Sequence, residues 1–300
     1  FFSGEANNCS VPACTEASVT TLGVQQSLVD RTIDYTYDPL GRLTNATYSD
    51  GSYYAYSYDA VGNRLSEVTE TGTTTYAYYP NNWMYLKGGT YLSYDANGNL
   101  RWDGKSSYTY DAANRLSELY DTSSLTRYLY SYDGMDDLLS ASSLYLPTGA
   151  TQTTQYVQDV AAGLSQVLSN GENSYLYGYS RLEQVNAETS GYFLGDALGS
   201  VRQVVDPETE IELMNSYAPY GDVIESEGSF DTPYGYNGEL TDSSGLINLR
   251  ARWRELCAPE PQASGVQTRA WGDSSAKTPG RETTRTRSHW GSGCMLMQTR

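Results

Sequence analysis

Few side chains in this chain could do chemistry. A Ser–His hydrolase needs a histidine as its base. His289 is the only histidine in the 300 residues, and it stands in an Arg- and Thr-rich stretch far from the patterned part of the chain. Asp95-Ala96-Asn97-Gly98-Asn99 places oxygens at alternate positions, as a calcium loop does. The bidentate Glu that such a loop needs at its end is Ser106, so the segment reads as an Asn-Gly turn. Asp and Glu are numerous enough to supply a glycosidase pair, but most Asp stand where capping of a turn explains them. Trp83 and Trp102 could stack on sugars; their place in the strand alternation assigns them to a sheet face instead. Cys9 and Cys14 could close a short disulfide loop or remain separate thiols. Neither they nor Cys257 and Cys294 have zinc-ribbon spacing. No phosphate-cradling loop, His-Glu-x-x-His or dinucleotide fingerprint is present. The expectation is a chain with no catalytic residue, no cofactor and no metal.

The elements that would position any site are written in a repeat. Tyr35-Thr36-Tyr37-Asp38-Pro39-Leu40-Gly41-Arg42-Leu43 returns as Tyr56-Ser57-Tyr58-Asp59-Ala60-Val61-Gly62-Asn63-Arg64-Leu65. It returns again as Tyr94-Asp95-Ala96-Asn97-Gly98-Asn99-Leu100 and as Tyr108-Thr109-Tyr110-Asp111-Ala112-Ala113-Asn114-Arg115-Leu116. Degenerate copies start at Tyr76 and Tyr130. Tyr-x-Tyr sends both rings to one face of a strand. Asp ends the strand and offers its carboxylate to turn N–H groups. Gly41, Gly62 and Gly98, or Asn114 in their place, supply the left-handed residue of the turn. Arg-Leu then restarts a strand, with Leu43, Leu65 and Leu116 returning to the apolar face. Each copy is therefore a hairpin, and hairpins must stack to bury their rings. The fold class is all-β: a curved sheet of stacked hairpins.

Composition agrees. The chain holds 29 Tyr against 4 Phe and 28 Gly, so much of its core must be phenol rings whose hydroxyls need partners. The net charge of −17 argues against nucleic acid as a partner. Phe1-Phe2-Ser3-Gly4 opens no secretory leader, and no apolar run is long enough for a membrane helix. The chain reads as an internal stretch of a longer protein.

Tyr-x-Tyr-Asp-x-x-Gly-Arg-Leu resembles the YD repeat of Rhs proteins, insecticidal toxin-complex proteins and teneurins. In this resemblance Tyr37, Asp38, Gly41 and Arg42 match one copy, and Tyr58, Asp59, Gly62 and Arg64 the next. Tyr94, Asp95 and Gly98, then Tyr110, Asp111 and Arg115, match two more. Downstream, an Asp196-x-Leu-Gly199-Ser-Val-Arg202 turn and a Tyr-x-Pro219-Tyr-Gly221 turn follow in order. A Gly238-Glu239 segment and a Gly245-Leu-x-x-Leu-Arg250-Ala-Arg252 strand complete the order. These four motifs resemble the Rhs repeat-associated core.

The resemblance implies a β-shell whose core closes it ahead of a variable C-terminal effector, in a secreted or cell-surface protein. The partners it implies are that effector segment and the remaining shell repeats. Cell-surface glycans are the partner of an alternative, adhesive reading. The family's self-cleaving aspartates follow the Leu-Arg-Ala-Arg strand in Asp-Pro pairs. Here Trp253-Arg254-Glu255-Leu256-Cys257-Ala258-Pro259 follows instead, so self-cleavage is not carried over. The expected organisation is an N-terminal edge over 1–32, repeat hairpins over 33–155, the core over 156–252, and a tail over 253–300. That tail has no Tyr and turns basic, and it reads as disordered or as the translation of a shifted frame.

Overall fold

The computed structural model describes residues 32–161, 165–250, 253–255 and 294–295. Apart from a short 3-10 turn at Tyr236–Gly238, its regular elements are all β-strands. Every pairing is antiparallel between strands that follow each other in sequence, and four sheets result. The first has seven strands, from Ile33–Tyr37 to Thr90–Tyr91, and the second seven, from Ser93–Tyr94 to Ala150–Gln155. The third has eight, from Val157–Asp159 to Val223–Gly228, and the fourth joins Leu240–Thr241, Leu246–Asn248, Trp253–Glu255 and Cys294–Met295.

The sheets hand over to one another along extended chain. Thr90–Tyr91 pairs with Met84–Lys87, and Ser93–Tyr94 pairs with Leu100–Trp102. Only Leu92 lies between; it is buried, and its N–H donates to Tyr85 O. Tyr156 does the same between the second and third sheets, its N–H donating to Leu139 O. The expected strip is thus present, with its ladder stepped at two buried residues.

Each repeat is a hairpin with a bulge immediately before its second tyrosine, between Thr36/Tyr37, Ser57/Tyr58, Thr109/Tyr110 and Ser131/Tyr132. A bulge bends and twists the bulged strand, so repeating it curves the strip. The first ring of the later copies is buried (Tyr56, Tyr108, Tyr130), while Tyr35 of the first copy is exposed, and the residue between the rings (Ser57, Thr109, Ser131) is exposed. Leu100, Leu116 and Leu138 face the same core. Leu65 does not: it is 40% exposed. The second copy has one more residue between Gly62 and its leucine, and with a side-chain period of two that reverses the faces. Arg64 therefore takes the inward position opposite Tyr58, where Leu116 stands opposite Tyr110.

Trp253–Glu255, assigned to the tail by its composition, pairs with Leu246–Asn248, and the Trp253 side chain is buried. Most of the expected tail, the 1–32 edge except Thr32, Arg252 and the cysteines Cys9, Cys14 and Cys257 lie outside the described residues.

Candidate functional site

The repeated turn is the first unit of the site. Asp38 Oδ1 accepts the N–H groups of Leu40 and Arg42, and Oδ2 accepts Arg42 Nε at 2.6 Å. Arg42 Nη1 then donates to Asp59 O in the next copy. Asp111 repeats this with Ala113 and Arg115, and Arg115 Nη1 reaches Asp133 O and Asp136. Asn63 and Asn99 stand in the position of those arginines: each donates Nδ2 to its own Asp and to an Asn of a later turn, Asn82 or Asn114. The backbone N–H and guanidinium of Arg42 hold the Asp38 carboxyl below its usual range. Burial works to raise Asp111, but the N–H and guanidinium of Arg115 prevail and hold it low. Gly41, Gly62 and Gly98 all have positive φ, as does Asn114 at 60°.

The second tyrosines tie one copy to the one before. The hydroxyls of Tyr58, Tyr78, Tyr94 and Tyr132 donate to the carbonyls of Leu43, Arg64, Met84 and Leu116. Tyr177 and Tyr217 do so in the third sheet, to Val167 and Val201. These bonds spend the hydroxyls of the second tyrosines on strand carbonyls, at about 1 kcal/mol net each. Tyr37, on the first strand, is 60% exposed.

The downstream motifs meet at one place. Asp196 caps its turn and holds Arg202 Nε at 2.9 Å, while the Arg202 guanidinium stands over the Tyr217 ring. Gly199, Gly221, Gly238 and Gly245 all have positive φ. A Cβ on Gly221 would fall 2.7 Å from the Tyr236 ring, and one on Gly238 2.7 Å from Gly199 O. Tyr236 donates to Pro219 O, and Ser200 Oγ accepts the Asn237 N–H. Glu239 and Arg250 form an ion pair of 3.7 Å.

This module seats on the repeat sheets through contacts that local sequence does not announce. Trp253 Nε1 donates to Tyr132 OH at 2.7 Å, and the indole packs on Tyr130 with ring centroids 4.4 Å apart. Tyr130 OH donates to Asp242 Oδ2 at 2.7 Å. Burial pushes Tyr130 far above a normal phenol and raises the Asp242 carboxyl, the latter against the pull of its Ser244 and Tyr130 donors. Arg181 stands 3.1 Å over the Tyr234 ring and donates Nη1 to Gly238 O. At the other end, Tyr220 shares a 2.6 Å hydrogen bond with Tyr58 and packs edge-on against Tyr56 at 4.9 Å. The inward Arg64 lies 4.2 Å from the Tyr220 ring centroid and pairs with Glu67 at 3.0 Å.

Among the described residues no group of three or more His, Cys, Asp or Glu gathers to hold a metal. Asp95, the opening of the candidate calcium loop, spends Oδ1 on the Asn97 and Asn99 N–H groups. Trp83 and Trp102 are half-buried, and the Trp83 ring lies against Tyr94 and above Gly98. The arrangement holds sheets to one another.

The family described as Teneurin YD-shell matches residues 16–254. The tRNA3(Ser)-specific nuclease WapA of Bacillus spizizenii is 25% identical over 233 residues, 73% of this chain and 10% of that protein. Teneurin-1 of Gallus gallus is 24% identical over 237 residues, 75% of this chain and 9% of that protein. The crystal structure titled TcdB2-TccC3-TEV aligns at a TM-score of 0.47 and 14% identity, over 76% of this chain and 17% of that one. The chain thus spans about a tenth of the length of these relatives.

Proposed function

The chain belongs to the teneurin YD-shell family, and from that premise we propose that it is both wall and closure of a β-shell ahead of a C-terminal effector. It is a structural shell segment by family. The finer reading adds that residues 33–155 build wall, that 156–252 close it, and that the parent protein is secreted or stands on a cell surface. Its partners are then the remaining shell repeats and the parent's own C-terminal segment. Its contribution is mechanical rather than catalytic.

The observation that carries this reading is the seating of the downstream module on repeat tyrosines, with Trp253 on Tyr130 and Tyr132 and Asp242 on Tyr130. A closing element has to be fastened to the wall it closes, and buried aromatic stacking with paired hydroxyls fastens it without an exposed backbone edge.

The test is protease protection in the parent protein. Removing the stack and the indole bond with Trp253→Ala weakens the seam by enough to open it roughly tenfold more often. Thermolysin is expected to release the C-terminal segment correspondingly faster from the variant than from the wild type. Equal release rates from both, with the wall intact, defeat the closing role.

A further inference from the structure

Between the end of the second sheet, the third sheet and the fourth lies a partly enclosed cavity of about 40 Å³. Asn248, Arg250, Arg181, Glu239, Asp137 and Gln158 are among the residues that line it. A water needs roughly 10–15 Å³ on this measure, so the space holds a few waters or one small ion.

Three features of its lining stand out. Asn248 is 6% exposed, and its Oδ1 accepts the Arg250 N–H at 2.8 Å, yet its Nδ2 has no partner. A buried donor left unpaired costs about 1–3 kcal/mol, so it calls for an occupant. Arg250 has φ 68°, a left-handed conformation that a long side chain adopts only when the surroundings hold it there. Here the Asn248 bond does the holding. The Arg250 Nη2 to Glu239 Oε1 separation of 3.7 Å is too long for a hydrogen bond and leaves the pair open to a bridging group.

Arg181 is held in place. Its Nε donates to Tyr177 OH and its Nη1 to Gly238 O, and it is clamped over Tyr234. Two guanidinium groups and one amide N–H donor therefore line a single small volume. Planar two-oxygen anions suit guanidinium geometry better than spherical ones. The acidic groups facing the space are Asp137 and Glu239. Burial raises the Glu239 carboxyl, against the pull of Arg250 and Arg181.

We propose that this cavity binds a small monovalent carboxylate, of formate or acetate size, held by Asn248 Nδ2 and the Arg250 and Arg181 guanidinium groups. The occupant ties the last strand before Trp253 to the third sheet. Nothing in this assignment depends on the shell having an effector.

The probe is sodium formate, added to the full chain, with sodium chloride at equal ionic strength as the control. Formate is expected to raise Tm by roughly 2–4 °C and then saturate, beyond any effect of chloride. Asn248→Leu abolishes the difference, and Arg250→Gln reduces it. Equal shifts in the two salts, or a formate response that survives in Asn248→Leu, overturn the site. Should Asn248→Leu fail to fold, ¹³C-formate NMR on the wild type decides alone. Saturable line broadening supports the site, and an unchanged line at all concentrations overturns it.

Discussion

At Asp38 and Asp111 one carboxylate closes its own turn and anchors an arginine that reaches the next turn. The residue four after the Asp is the one that reaches, and in the second copy that residue is Asn63. Arg64, one place further, points inward among the rings of Tyr56, Tyr76 and Tyr220. A cation with 3% side-chain exposure survives there because Glu67 and three ring faces replace its water. Alike in sequence, Arg42 and Arg64 should therefore differ on truncation. Arg42→Ala loses part-buried turn bonds at the edge of the sheet, about 1–2 kcal/mol. Arg64→Ala leaves Glu67 half-buried without its partner and the Tyr220 contact hollow, about 3–5 kcal/mol. Urea unfolding of the two variants measures the gap; similar midpoints would mean that the inward guanidinium contributes no more than the outward one.

The hairpin is the element, and its glycines set how strictly it is built. Gly41 has φ 78° with open space where a Cβ would stand, whereas Gly98 has φ 87° and a Cβ there would fall 2.6 Å from the Trp83 ring. Gly41→Ala should cost about 1 kcal/mol for the left-handed backbone alone. Gly98→Ala should cost about 1–3 kcal/mol more, because the indole must give way. Thermal melts of both variants check the order. The hairpins were readable from sequence because everything that makes one lies within about ten residues: alternating rings, a capping Asp, a left-handed residue. The inward turn of Arg64 was legible in principle as one extra residue after Gly62, but similarity to the neighbouring copies concealed it. Tyr220 on Tyr58 and Trp253 on Tyr132 were not legible, since these partners lie 162 and 121 residues apart and meet only through the accumulated curvature of the strip. Arg181 carried no local signal at all; it is one arginine at the start of an ordinary strand, and its role comes from Tyr234 arriving over it.

Across the whole molecule the carboxyls divide by position. Those in turns, Asp38, Asp111 and Asp121, are held below their usual range by N–H groups and neighbouring cations or hydroxyls. Those where sheets meet, Glu67, Glu239 and Asp242, are raised, in each case chiefly by burial. The two groups act on stability with opposite sign. A lowered carboxyl contributes stability that is present above its unfolded pKa and is lost as pH falls through the depressed folded value. A raised carboxyl contributes stability that is present below its unfolded pKa and is lost as pH rises through the elevated folded value. Relief of the −17 net charge on acidification adds to the second effect. Tm is therefore expected to rise as pH is lowered from neutral toward the upper carboxylate range, and to fall in strong acid as the turn carboxylates protonate. Asp242→Asn and Glu67→Gln should each flatten the rise and leave the acid limb in place, while Asp111→Asn should act on the acid limb. A wild-type Tm that falls steadily from neutral downward would show that the seams between the sheets are not where the protonation energy of this fold resides.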